Sequence, residues 1–162
     1  MVQVEAWHDF NVAMAGATAA LAGLVIVAAS VNIDKIVKAG TLTARLAAAI
    51  ATLVLALVAS ATGLIPGIDG FWYGLTIIVS TVAAAPFQLH ATRVVYTDAD
   101  PLQHARVAKS IPGFVPLVAY LVAGVSLVLA HPSSLVLTAV GCLVAIVSAL
   151  IVSWVVLVEV LR

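Results

Sequence analysis

The sequence has few charged residues, and its long apolar stretches have none near their centres. Charged side chains make up 9% of the 162 residues, with seven basic and seven acidic residues in balance. Soluble domains carry about 25% charged residues, so this composition excludes an ordinary soluble fold. The balanced charge also gives no basis for binding nucleic acid, which requires an excess of cations.

Cysteine and catalytic motifs are also scarce. Cys142 is the only cysteine, which excludes an intramolecular disulfide and a cysteine-based metal site. Within the apolar stretches there is no Ser-His pair, no pair of aspartates and no His-Glu-x-x-His motif, so we predict a protein that is not an enzyme. These stretches also lack the buried charge that ion-coupled carriers use.

What the sequence does contain is five apolar runs separated by short polar breaks. They cover residues 10–33, 46–68, 71–93, 114–130 and 135–158. About 20 apolar residues are enough for a helix to cross a bilayer, and lipid forces such a segment to be helical because it offers the backbone no hydrogen bonds. The runs therefore predict an all-α fold, a polytopic transmembrane bundle of five helices, as a single integral membrane domain over residues 1–162.

The positions of the cations predict the orientation of this bundle. The first break between runs carries Lys35, Lys38 and Arg45, and the third carries Arg106 and Lys109. The second and fourth breaks have neither lysine nor arginine. Because lysine and arginine favour the cytoplasmic side, we expect the N-terminus outside and the C-terminus inside.

The third break, residues 94–113, is the longest polar segment and would form a cytoplasmic loop. Asp100-Pro101 resembles an N-cap followed by proline at the first helical position, which predicts a short helix over 102–109 that Pro112-Gly113 ends. Such a helix would lie on the inner leaflet with its cations near anionic lipid. It would also offer a candidate cytoplasmic contact through His104, Arg106 and Lys109.

Small residues recur along one face of the first predicted helix. Gly16, Ala20, Gly23 and Ser30 follow one another at steps of three, four or seven. Small side chains let helix backbones approach closely in a membrane, so this is a candidate helix-packing face, inside the bundle or between subunits. Similar stripes occur in the second and fifth helices, as Thr52, Ala56, Ser60 and Gly63, and as Thr138, Gly141, Ala145 and Ser148.

The third predicted helix carries the most polar side chains. Pro86 is expected to kink it. One interpretation is that its polar stripe lines a pore between several copies of the chain. The alternative is structural, with a hydrogen bond from Gln88 to a neighbouring helix, His90 at the interface and Arg93 extending to the headgroups. The candidate pore or polar face consists of Thr76, Ser80, Gln88, His90, Thr92 and Arg93.

The four histidines raise the possibility of a haem or metal site. The predicted topology puts His8 and His131 outside and His90 and His104 inside, so at most two can meet. Zinc needs four ligands in a structural site, or three with water in a catalytic one. We therefore predict no cofactor and no metal, and keep a haem-binding or metal-binding protein as a further alternative.

The opening of the chain contains the stretches Trp7-His8-Asp9-Phe10, Ala15-Gly16-Ala17, Leu21-Ala22-Gly23-Leu24 and Ala28-Ala29-Ser30-Val31-Asn32-Ile33. In these stretches the chain resembles a family of small actinobacterial multi-span membrane proteins. Some members are automatically labelled as modulators of the membrane protease FtsH. This resemblance implies a multi-pass protein of the bacterial plasma (inner) membrane and gives no catalytic or binding residues. The five predicted spans differ from the seven that the label suggests.

Together these features favour a non-enzymatic accessory or regulatory subunit that recognises other membrane helices or lipid through small-residue faces. The alternative is a homo-oligomeric channel or small-solute pore lined by the polar stripe of the third helix. The expected partners are the lipid bilayer and either further copies of the chain or other membrane proteins, with no nucleic acid.

Overall fold

The computed structural model describes residues 4–38, 40–97 and 103–161, without the side chains of 103–111 and 160–161. All regular structure in these ranges is helical, which confirms the all-α prediction. A single 3₁₀ turn, Val4–Trp7, leads into the first of six α-helices. They are α1 His8–Val31, α2 Ile33–Lys38, α3 Gly40–Thr62, α4 Gly70–Thr97, α5 Gln103–Val128 and α6 Ser134–Leu161.

Four helical segments of the described chain are long and apolar enough to cross a membrane. They are Val4–Val31, Gly40–Thr62, Gly70–Thr97 and Ser134–Glu159. A fifth apolar segment, Pro112–Val128, is shorter. Helices of this length and hydropathy, with almost no soluble structure between them, are those of an integral membrane protein.

The helix α3 lies at the centre of the bundle and α1 lies at its edge. In the packing, α3 contacts α1, α4 and α6, whereas α5 contacts chiefly α4 and α6. In the most apolar part of α3, 56% of residues are buried by the rest of the chain, against 11% in that of α1. Most of α1 therefore faces away from the protein.

The two ends of the bundle differ in chemistry. One end, which we call the cationic end, has a core of Ala29, Ile36, Leu42 and Val156 and carries Lys35, Lys38, Arg45 and Arg93. At the other, which we call the aromatic end, the cores of α4, α5 and α6 meet through Tyr73, Leu127 and Leu135. Two edge-to-face ring pairs mark this end, Trp7 with Phe10 and Phe71 with Trp72.

The helix limits differ from the predicted runs because hydropathy measures apolar length and does not locate helix ends. The second long helix, α3, begins at Gly40 rather than residue 46, and Arg45 lies inside it. It ends at Thr62 rather than residue 68, before a turn in which Gly67 takes a positive φ of 69°. A charged side chain is compatible with a helix, whereas the positive φ of Gly67 is not.

The first break between the apolar runs contains a short helix, α2, that the sequence analysis did not predict. Ile36 anchors α2 in the cationic-end core with 1% of its surface exposed. The Thr43 hydroxyl of α3 donates a 2.8 Å hydrogen bond to the Ile36 carbonyl and so ties the two helices together. Three apolar residues among three charged ones are too short a pattern to predict this helix.

The prediction that Pro112-Gly113 ends a short helix was wrong, because α5 runs unbroken from Gln103 to Val128. Proline at 116 leaves the Pro112 carbonyl without its helical donor. The Ser148 hydroxyl of α6 donates a hydrogen bond to that carbonyl. A neighbouring helix thus supplies the bond that proline removes, which lets a membrane helix continue through proline. The Asp100-Pro101 cap lies outside the described residues.

Candidate functional site

The small-residue face of α1 points away from the bundle. Gly16, Ala20, Gly23 and Ser30 are all exposed. A methyl group added at Gly16 or Gly23 would meet no atom within 4 Å. The Ser30 hydroxyl satisfies itself with a 2.8 Å hydrogen bond to the Ile26 carbonyl of its own helix. This face, which we call the α1 small face, is open to lipid or to another protein.

The opposite side of α1 forms its contact with the bundle. The buried residues of the helix are Asn11, Thr18, Ala22, Val25 and Ala29. The Thr18 hydroxyl bonds to the Met14 carbonyl at 2.7 Å, so it needs no partner from another helix. The chain thus packs α1 through one face and leaves the smaller-residue face unused.

The other two small-residue stripes differ from the α1 small face, because both are buried inside the bundle. Every member of the stripes in α3 and α6 is buried. At Gly63 an added methyl group would lie 2.5 Å from Asn11 Nδ2, and at Gly141 it would lie 3.3 Å from the Tyr120 ring. The members are Thr52, Ala56 and Ser60 in α3 with Gly63 directly after it, and Thr138, Gly141, Ala145 and Ser148 in α6.

The polar stripe of α4 is divided between the protein interior and its surface. Thr76, Ser80 and Thr92 are half-buried, whereas His90 and Arg93 are exposed. The Thr76 hydroxyl bonds to the Trp72 carbonyl and the Thr92 hydroxyl to the Gln88 carbonyl, both at 2.9 Å. Both hydroxyls therefore donate within α4 and need no acceptor from another helix.

Gln88 lies in the interface between α4 and α5. Its side chain is 8% exposed and sits against Gly113, where any added side chain would overlap the Gln88 carboxamide. Gly113 therefore has a steric purpose, since its missing side chain makes room for Gln88. A pore between copies of the chain would be lined without the Gln88 side chain.

Two further candidates are the cytoplasmic contact of residues 104, 106 and 109 and a metal site built from histidines. The backbone of His104, Arg106 and Lys109 is helical as part of α5, but their side chains lie outside the described residues. Among the described residues, no three side chains of histidine, cysteine, aspartate or glutamate lie close enough together to hold a metal ion.

Sequence reasoning missed an ion pair at the cationic end. Arg45 Nη1 of α3 lies 2.7 Å from Glu159 Oε2 of α6, with the two side chains 8% and 32% exposed. The pair fixes the end of α6 to the central helix, and it neutralises one of the cations that predicted the orientation. Opposite charges at the same predicted membrane face were a signal for this contact, but hydropathy alone does not show that α3 and α6 are neighbours.

Comparisons of the chain with protein-family models, with curated proteins and with solved structures find no match.

Proposed function

We propose that this membrane protein is a non-enzymatic accessory or regulatory subunit whose α1 small face docks against a transmembrane helix of a partner protein. The observation that carries the proposal is the outward direction of Gly16, Ala20 and Gly23. Helices associate in lipid through van der Waals contact, which is closest where side chains are smallest. A lipid-facing helix gains nothing from glycine, which costs about 1 kcal/mol relative to alanine in a helix.

The use of the other two stripes supports this assignment. In α3 and α6, small residues lie where another helix or a ring approaches closely, as at Gly63 and Gly141. The α1 small face is also rich in small residues, with Val27 exposed between Gly23 and Ser30, and no helix of the chain covers it. By the same packing rule, its neighbour is a helix of another molecule.

The proposal includes a topology of five crossings, with α5 as the shortest in apolar length. The cationic end lies in the cytoplasm and the aromatic end outside, because lysine and arginine favour the cytoplasmic side. Tryptophan rings at the aromatic end suit the interface, where an apolar ring and a polar N–H both find partners. The membrane is the bacterial plasma membrane, as the resemblance of the first helix implies.

The test is copurification with matched variants. The tagged chain is extracted in a mild detergent and its bound proteins are identified by mass spectrometry. Gly16→Leu and Gly23→Leu fill the α1 small face, and the first carbon of each added side chain meets no neighbouring helix within 4 Å. Ala83→Leu, on an exposed position of α4, adds the same bulk elsewhere and is the control.

The proposal requires one membrane protein that copurifies with the wild type and with Ala83→Leu, and whose yield falls in both glycine variants. A partner retained by both variants would remove α1 from the interface. A chain that binds only its own copies, shown with two tags, would replace the proposal with the homo-oligomeric alternative. Solute flux through liposomes would then decide whether that oligomer is a pore.

A further inference from the structure

The short helix α2 lies where the chain leaves the hydrocarbon core between α1 and α3. The helix α1 has 24 residues, which at about 1.5 Å per residue makes it roughly 36 Å long. The hydrocarbon core of a bilayer is about 30 Å thick, so α1 is long enough to cross all of it. The next long helix, α3, begins at Gly40. The six residues of α2 therefore lie at the boundary between acyl chains and headgroups, at the cationic end.

One side of α2 is fixed to the protein. Ile36, 1% exposed, packs in a core with residues of α1, α3 and α6. Its carbonyl accepts a 2.8 Å hydrogen bond from the Thr43 hydroxyl of α3. Its N–H donates a 3.1 Å bond to the carbonyl of Asn32, the residue between α1 and α2. These contacts set the rotation of α2 about its axis, and hence the directions of its other faces.

A second side of α2 is apolar and turned away from the protein. Ile33 is 51% exposed and Val37 is 62% exposed. The two residues are four positions apart, so they share one helix face. They continue the exposed apolar surface of α1, which ends at Val31 with 80% of its surface exposed. At this depth such side chains gain by leaving water for acyl chains, so this face contacts lipid.

A third side of α2 carries its cations. Lys35 and Lys38 are both exposed, and they are three positions apart on one face. Long lysine side chains at a membrane boundary extend their ammonium groups toward the headgroups. Asp34 is the exposed carboxylate of the same helix. The helix thus combines a lipid-facing apolar face with an excess of positive charge.

The surroundings of α2 maintain this positive charge. Arg93 of α4 is an exposed cation at the same end. The Glu159 carboxylate is held by Arg45 in an ion pair of 2.7 Å, so that pair adds no net charge. At the aromatic end the described residues include exposed Asp9 and Asp69 and no lysine or arginine. The two ends therefore differ in the lipid charge that suits them.

We propose that α2 is a binding surface for anionic phospholipid. The Ile33 and Val37 side chains contact the acyl chains, while the Lys35 and Lys38 ammonium groups bind the lipid phosphates. Charge complementarity identifies the occupant, because a polybasic segment at a membrane boundary attracts anionic headgroups. The surface depends on α1 and α3 crossing the membrane. It does not depend on the docking of the α1 small face.

The test measures which lipid lies against α2 in liposomes of the purified chain. The liposomes contain equal parts of phosphatidylglycerol and phosphatidylcholine, and the acyl chains of one or the other lipid are brominated. Bromine quenches tryptophan fluorescence on contact, so the quenching reports the lipid beside each tryptophan. Val37→Trp is the reporter at α2, in a chain that also carries Trp7→Phe, Trp72→Phe and Trp154→Phe.

The matched control is the native Trp72 at the aromatic end. It is 61% exposed and serves as the single reporter when Trp7 and Trp154 are replaced by phenylalanine. The proposal requires stronger quenching by brominated phosphatidylglycerol at Val37→Trp and no such preference at Trp72. Both reporters are exposed to liposomes of the same composition, so a difference between them comes from the protein surface.

Charge variants of α2 complete the test. Lys35→Gln and Lys38→Gln should lower the preference for the anionic lipid by up to about fivefold each. Lys35→Arg and Lys38→Arg keep the charge and should keep the preference. Equal quenching by the two lipids at α2, or a preference that survives both glutamine substitutions, would overturn the proposal. Absence of quenching by either lipid would mean that protein or water covers this face, which would overturn it as well.

Discussion

The Ser148 hydroxyl of α6 donates its hydrogen bond to the carbonyl of Pro112 in α5, the one carbonyl that Pro116 deprives of its helical donor. The two residues are 36 positions apart in the chain. Pro116 has no N–H to donate to this carbonyl, and inside a membrane the carbonyl needs another donor. A hydrogen bond from a neighbouring helix therefore replaces the one missing within α5. At the next residue, Gly113, the Gln88 carboxamide of α4 occupies the space that a side chain would fill. One turn of α5 therefore connects α4, α5 and α6.

The Ser148–Pro112 bond predicts that the effect of Ser148→Ala on stability depends on whether residue 116 is proline. Ser148→Ala should lower the free energy of unfolding by about 1 kcal/mol, the size of a hydrogen bond between membrane helices. In a Pro116→Ala background the cost should shrink, since alanine restores an N–H for the Pro112 carbonyl. The measurement is a double-mutant cycle of unfolding free energies in mixed micelles.

The matched control for this cycle is Ser30→Ala. Ser30 is exposed and bonds only to its own helix at the Ile26 carbonyl, so its loss should change the unfolding free energy little. If Ser148→Ala lowered the free energy of unfolding equally in the wild type and in Pro116→Ala, the hydrogen bond to the Pro112 carbonyl would not be what Ser148 contributes.

The Arg45–Glu159 pair predicts that removing one charge is worse than removing both. Glu159→Ala leaves the buried Arg45 guanidinium without its carboxylate, which is strongly destabilising for a charge removed from water. Arg45→Met with Glu159→Ala removes the uncompensated charge and should recover part of the loss. Unfolding midpoints of the two single variants and the double variant decide this, and a double variant that equals the sum of the singles would exclude coupling.

The glycines of the bundle predict opposite responses to the same added methyl group. Gly113→Ala should destabilise the protein, because the new side chain overlaps the Gln88 carboxamide. Adding Gln88→Ala should restore part of the stability by clearing that space. Gly16→Ala should leave stability unchanged or raise it by up to about 1 kcal/mol, since alanine favours a helix and has open space there. A Gly113→Ala protein as stable as the wild type would contradict the described α4–α5 contact.

The predictability of each feature from the sequence depends on whether its cause is local. Long apolar runs were enough to predict the helical fold, because lipid leaves a spanning backbone no alternative. The same pattern located helix ends poorly, as at Arg45, because a charge next to an apolar run does not stop a helix. The continuity of α5 depends on Ser148, a residue of another helix, and no local rule could anticipate it.

The faces of the helices were harder to predict than the helices themselves. Three small-residue stripes look alike in the sequence, yet those containing Ser60 and Ala145 are buried and that containing Gly16 is exposed. The difference comes from which helices are neighbours, which hydropathy does not report. Trp72 and Tyr73 are a related case: both are aromatic residues typical of the membrane interface, yet Trp72 is 61% exposed and Tyr73, one position further along the helix, is 1% exposed in the core.

The native mass and protein composition of the complex in lipid nanodiscs test the central claim most directly. The account predicts that the wild-type chain forms a complex of defined mass with a second membrane protein. Gly16→Leu combined with Gly23→Leu should reduce it to the mass of the free chain without lowering its unfolding midpoint. A wild-type chain that is monomeric, or a complex of unchanged mass in the double variant, would contradict the claim that the α1 small face is a docking surface.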